Sequence, residues 1–287
     1  MKNGYKKLLI IGAAAVVIAA AFWFICYENK INAGRGFCCG AEKVSIGGIV
    51  PHHDLANAMI DEFYQTLSLK NKNIATFIIL SPNHANIGNA PVITSLNDWQ
   101  MERGAVAVDT QVVGALPAFA KAMAGARATP LPLGIDEKNI AIEHGVTVQL
   151  PFIKKYFPDA RILPLAFSTK VKTAESFELA QALKKILDDE SVFMVASLDF
   201  SHYLPLSVAL EKDKQTMAAM KNFDYEKIAS FGSDHVDSPQ ALITFLRAME
   251  LLSAKEIKEL VHKNSSDFLA GEGGSVTTYY TTLFTPL

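Results

Sequence analysis

The seven histidines of this chain, His52, His53, His84, His144, His202, His235 and His262, are the residues whose types and spacing could do chemistry. Neutral imidazole is a common ligand for zinc, iron and copper, and it transfers protons near neutral pH. A lone histidine says little, because most are solvated or hydrogen-bonded structural residues. The local context repeats, however. Ile49-Val50-Pro51-His52, Leu80-Ser81-Pro82-Asn83-His84 and Leu198-Asp199-Phe200-Ser201-His202 each set a histidine just past an apolar run. In open α/β sheets ligands bind outside the carboxyl ends of the strands, so three such runs would deliver three imidazoles to one sheet edge.

The elements needed to position them are legible. Short apolar, β-rich runs predict strands over Val44–Val50, Thr76–Leu80, Pro91–Ser95, Arg161–Phe167, Val192–Leu198 and Thr277–Phe284. Amphipathic stretches predict helices over Leu55–Leu69, Thr110–Met123, Val146–Tyr156, Ala174–Asp188, Leu206–Asn222 and Pro239–Leu252. This alternation predicts one α/β domain over residues 44–287, with a central mixed sheet flanked by helices, and there is no internal repeat or second linker. His262, in Glu259-Leu260-Val261-His262-Lys263, reads as the end of a helix, where a dipole contact would account for it.

Five motifs in order, Ile-Val-Pro-His at 49–52, Leu-Ser-Pro-Asn-His at 80–84, Glu-His at 143–144, Gln-Leu-Pro-Phe at 149–152 and Ser-Leu-Asp-Phe-Ser-His at 197–202, resemble the Memo family. Bacterial members are called AmmeMemoRadiSam system protein B. The likeness runs from about Val44 to the Ser-Val-Thr-Thr-Tyr-Tyr at 275–280. It implies a fold related to the class III extradiol dioxygenases and a pocket for one divalent metal ion, with iron, copper or zinc as candidates. By motif, His52 and His84 are implied metal ligands. The third family ligand is usually a cysteine in Cys-Gly-x-x-Pro, and the matching stretch here is His235-Val236-Asp237-Ser238-Pro239, which implies His235. Asp234 or Asp237 could instead complete a two-histidine, one-carboxylate set. His144 and His202 match family positions lining the pocket and are candidates for proton transfer, with Asp199 as the orienting carboxylate; alternatively Asp199 is a cap and His202 structural.

Where relatives often continue the Glu-His segment with a glutamate and a second histidine, this chain has Thr147 and Gln149, so the pocket is expected to be less ionisable. His53 and Asp54 replace small residues and are either altered pocket groups or exposed ones.

Half of the 287 residues are hydrophobic and the formal net charge is only -2, which gives no electrostatic reason to expect nucleic acid. A small-molecule or peptide ligand is the expectation. The N-terminus differs: Lys2, Lys6 and Lys7 precede an uncharged apolar run of 19 residues, Leu8–Cys26. As a helix it would extend roughly 28 Å, close to the hydrocarbon core of a bilayer. Residues 1–27 are therefore read as a signal anchor and 28–43 as a linker, with the domain outside the cytoplasm by the positive-inside rule. A cleaved signal peptide is the alternative, disfavoured by the bulky Phe22-Trp23-Phe24-Ile25 after Ala21. Cys26, Cys38 and Cys39 all lie before the domain. The Amme-domain and radical SAM partners of bacterial relatives would be cytoplasmic, so partnership with them is doubtful for an exported domain.

Two functions compete. One is a mononuclear metalloenzyme, oxygen-dependent or hydrolytic, acting on a small molecule. The other is a non-catalytic module that uses the same histidines to bind a metal or a peptide end. A third reading leaves the histidines merely packed.

Overall fold

Strands β2 (Thr76–Pro82) and β6 (Val192–Ser197) are buried at every position. Continuous apolar runs of this kind belong at the centre of a parallel sheet covered on both faces. The structure, a computed structural model, describes residues 44–116, 133–269 and 274–287. Together with β2 and β6, strands β1 (Gly47–Val50), β3 (Val92–Thr94), β4 (Leu133–Ile135), β5 (Arg161–Phe167), β7 (Phe200–Pro205), β8 (Glu256–Asn264) and β9 (Ser275–Thr285) form one sheet. Its order is β4-β3-β5-β2-β6-β1-β9-β7, with β8 pairing on β9. β5, β2, β6 and β1 run parallel, whereas β9 is antiparallel to β1, β7 and β8. The predicted mixed α/β sheet is therefore observed.

Two adjacent glycines in β1 show how both faces are covered. Successive strand residues point to opposite faces. A Cβ on Gly47 would meet Met249 and Phe245 of the helix Pro239–Leu251; one on Gly48 would meet Phe63 of the helix Asn57–Lys70. The two helices thus pack against β1 from opposite sides. At Gly48 the added carbon would also lie 2.6 Å from the backbone oxygen of Thr282, which cannot yield, whereas at Gly47 the nearest atom is the flexible Met249 Sδ at 2.8 Å. Gly48→Ala is expected to lower stability by about 1–3 kcal/mol in urea denaturation and Gly47→Ala by less; equal losses would contradict this reading.

β7 and β8 depart from expectation. Glu256–Asn264 is a strand, so His262 does not end a helix: pairing along β9 outweighs the helix-favouring Glu, Lys and Leu of that stretch. The predicted helix over 146–156 is two, His144–Thr147 and Leu150–Tyr156, with Pro151 near the start of the second. In β7 the register against β9 shifts between Phe200 and Leu204, and Tyr203 takes φ +55°. That bulge turns the chain at His202, whose amide donates to the Ser233 carbonyl.

The apolar run 8–26, the linker and the three cysteines lie outside the described residues. Among the described residues, no helix is long and apolar enough to cross a membrane.

Candidate metal centre

β2, β6 and β1 are consecutive in the sheet, and their carboxyl ends lead directly to His84, Asp199 and His52. Parallel neighbours in register place these three loops side by side. His52 is 2 % exposed. Its Nδ1 lies 3.1 Å from the Ser197 carbonyl, to which it donates, which leaves the Nε2 lone pair free. Nε2 faces Asp237 Oδ2 at 3.2 Å and Asp199 Oδ2 at 3.7 Å.

Glu143 organises the second imidazole. Its buried carboxylate caps the short helix His144–Thr147 by accepting from the Gly145 amide, and it also accepts from the backbone amide of His84. His84 Nδ1 lies 2.6 Å from Glu143 Oε1. A carboxylate on Nδ1 again leaves Nε2 as the free donor, the arrangement that orients metal-binding histidines. Burial pushes the Glu143 carboxyl up, but the hydrogen bond and charge of His84 and the two amides outweigh it and hold the group below its ordinary value.

His144, next in the chain, completes the group. Its ring centroid is 3.9 Å from that of His84 and 5.1 Å from that of His52, while His52 and His84 are 5.0 Å apart. One nitrogen from each of the three rings lies within 4.8 Å of the others, and His52, Asp199 and Asp237 form a second group by the same measure. The groups share His52. Burial, then the neighbouring His84 and His144, hold His52 well below its usual value, and burial followed by His84 lowers His144.

Asp237 has the opposite problem. Burial and the adjacent Asp199 carboxylate hold it well above the usual carboxylate range, and its Oδ1 is buried without a hydrogen-bond partner. Burial raises Asp237 and lowers His52, so both shifts favour placing the proton of their contact on Asp237. A raised folded-state value means that this proton stabilises the fold at low pH and that the stability is lost as pH rises through the folded value. Asp237→Asn cannot ionise. In metal-free protein it is expected to be more stable than wild type, with the gap widening in urea titrations as pH rises from about 4, the ordinary aspartate value, toward the raised folded value, and to bind metal less tightly. A gap that stays constant with pH would refute the assignment.

A buried amide supports the centre from below. Gln149 donates to the Pro51 carbonyl at 2.8 Å and to Ser197 Oγ at 3.0 Å, and accepts from the Tyr64 hydroxyl at 3.1 Å. Position 149 is thus a fully buried brace under the His52 loop, not an altered pocket group. At roughly 1–3 kcal/mol for each orphaned buried group, Gln149→Leu is expected to cost at least about 2 kcal/mol in urea unfolding. A loss below about 0.5 kcal/mol would remove it from this role.

Three expected residues are placed differently. His235 stands outside both groups: its ring stacks on Phe231 at 4.1 Å, and its nitrogens face Asp234 at 3.2 Å and Gln215 at 3.4 Å. Two residues on, Asp237 supplies the group that meets His52, so the loop delivers a carboxylate two positions before Pro239 and not an imidazole four before it. Asp234 turns to Lys212, an ion pair at 2.6 Å. Asp199 Oδ1 accepts from the His52 amide at 3.0 Å, while His202 Nδ1 takes the Ser233 carbonyl at 3.1 Å, so Asp199 orients His52 and acts on His202 only through space. His202 is held low by burial. It lines a cavity of about 540 Å³ that also touches His84 and Asp237. His53 stays outside and accepts from the Leu55 amide.

A mixed sheet that gathers imidazoles and carboxylates at adjacent strand ends defines an α/β protein with a candidate single-metal site. Comparison with known proteins narrows the class. Residues 28–283 match the family model described as Memo-like protein. A MEMO1 family protein of Metallosphaera sedula is 28% identical over 213 residues, covering 72% of this chain and 71% of the relative. One from Caldivirga maquilingensis is 31% identical over 154 residues, 52% of this chain and 50% of the relative. The uncharacterized protein JW3007 of Escherichia coli K12 shares the fold, with TM-score 0.56 and 13% identity over 83% of this chain and 99% of that one. The chain belongs to the Memo family.

Proposed function

We propose that this chain binds one divalent metal ion through His52 and His84, with His144 and Asp237 completing the set, and that the cavity beside it admits a small molecule. The observation that carries this is the convergence of three imidazole nitrogens within 4.8 Å, with two of the rings tied back at Nδ1. The unpartnered Asp237 Oδ1 and the suppressed ionisation of that carboxyl mark a place where positive charge is wanted. Iron, copper and zinc all accept imidazole with carboxylate. When bound, such an ion supplies Lewis acidity or oxygen chemistry. His202 is the group beside the cavity that would then accept a proton from a bound ligand, since Nδ1 is committed to Ser233 and Nε2 is left as the acceptor.

The activity proposed is oxygen-dependent or hydrolytic turnover of that small molecule. A non-catalytic binding module is the second reading, favoured because Gln149 is a structural brace and leaves His202, among the described residues, as the one proton-transfer group of the cavity outside the metal set. The run Leu8–Cys26, preceded by three lysines, supports a proposed membrane tether with the domain outside the cytoplasm.

Elemental analysis of the full chain purified without added metal tests the centre. About one equivalent of iron, copper or zinc is expected, and less than about 0.1 equivalent, before and after reloading, would overturn it.

A further inference from the structure

The cavity beside His84 has a one-sided chemistry. Among its described lining residues the ionisable side chains are His84, His202 and Asp237, and no described lysine, arginine or glutamate contributes. Asp199 and Glu143, both buried, lie behind the same centre. A ligand anion would find no lysine or arginine to receive it, and the Glu143 carboxylate, held below its ordinary value, stands behind the wall. The hydrogen-bonding capacity left open is also of one kind. Asp237 Oδ1 is a buried oxygen with no partner on a side chain only 7 % exposed, and His202 Nε2 is left as an acceptor by the commitment of Nδ1. His202 Nε2 calls for a donor from the ligand, whereas Asp237 Oδ1 is shielded and belongs to the proposed metal set.

The remaining wall divides into hydroxyl and amide groups, among them Asn86, Thr169 and Ser233, and an apolar side of Phe167, Val171 and Phe231. A volume of about 540 Å³ suits a small molecule rather than a polymer segment. We propose that this cavity takes an uncharged, hydroxyl-rich small molecule with one apolar face, and discriminates against carboxylated or phosphorylated counterparts. The proposal rests on the reading of His84 and Asp237 as members of the metal centre, but the preference itself is set by the wall.

Three probes of one shape separate the possibilities: methyl glucoside, glucuronate and glucosamine, which are neutral, anionic and cationic. Saturation-transfer NMR on the full chain, solubilised in a non-glycosidic detergent, would rank them in zinc-loaded and in metal-free protein. In metal-free protein methyl glucoside is expected to bind at least about tenfold more tightly than glucuronate, a gap of about 1.4 kcal/mol; in zinc-loaded protein the ion adds positive charge beside His84, and the gap is expected to narrow. Thr169→Lys, an exposed wall position, is expected to reverse or erase that ratio. Glucuronate binding as tightly as methyl glucoside in metal-free wild type, glucosamine binding tightest, or no transfer to methyl glucoside in either state would each overturn the proposal. Zinc content measured on the same samples reports separately on the metal centre, so a failure of one reading is distinguishable from a failure of the other.

Discussion

Replacing His52 and His84 together by alanine is expected to abolish tight metal uptake, lowering zinc affinity by at least about 100-fold in equilibrium dialysis. The magnitude follows from what each ring supplies. Loss of an outer hydrogen-bond partner to a metal ligand typically costs 10–100-fold, and here two proposed ligands are removed outright. Both rings have Nδ1 committed, His52 to the Ser197 carbonyl and His84 to Glu143, so each offers one preset nitrogen. His144, with a side chain 54 % exposed, cannot hold an ion alone. Circular dichroism of the double variant checks that the fold survives. Uptake equal to wild type would remove the metal centre altogether, whatever else the histidines do.

Asp213→Ala is expected to produce the largest loss of stability, about 3 kcal/mol or more by urea denaturation. Asp213 is fully buried on the helix Leu206–Lys221. Its Oδ1 accepts from the Ser201 and Thr278 hydroxyls, each at 2.8 Å, and its Oδ2 lies 2.8 Å from His262 Nε2. One carboxylate therefore ties that helix to β7, β9 and β8 at once. Removing one partner of a buried charged contact costs roughly 3–5 kcal/mol, and the lower end applies because His262 remains partly exposed. His262→Gln should cost less, because it leaves the two hydroxyl bonds intact. A loss below about 1 kcal/mol for Asp213→Ala would show that the strands hold together without this clamp.

The clamp also explains why His262 was hard to read in the chain. A histidine between Val261 and Lys263 carries no local sign of a carboxylate 49 residues earlier. Its ring stacks flat on Tyr280, its cross-strand partner in β9, at 3.9 Å. Position 235 shows a related limit. A spacing of four before Pro239 matched the family's ligand position, yet the loop packs that ring on Phe231 and turns Asp237 inward. Motif spacing counts residues along the chain, whereas coordination depends on which side chain the turn aims.

Strand ends were legible because hydrophobic periodicity reports burial directly. Apolar runs ending in Pro-His, Pro-Asn-His and Leu-Asp marked β1, β2 and β6, and with them His52 and His84; the third imidazole expected at a strand end, His202, lies instead inside β7. Glu143 left a weaker trace, an acidic residue just before a histidine at a helix start, and its double duty as cap and orienting carboxylate needed coordinates. Gln149 showed only as part of a motif and as a departure from relatives; its role as a brace was hidden, because a glutamine under a loop looks like any other polar residue.

The amino-acid order alone determined the α/β class, a mixed sheet flanked by helices, and the loops at His52 and His84 where imidazoles would emerge. These follow from local preference and from the free energy of burying apolar side chains, both written in composition and period. Only the folded chain decided that β6 lies between β1 and β2, that His144 and Asp237 join His52 while His235 does not, and that Asp199 serves His52 and not His202. Those outcomes depend on distances between residues far apart in the chain, which no local pattern encodes.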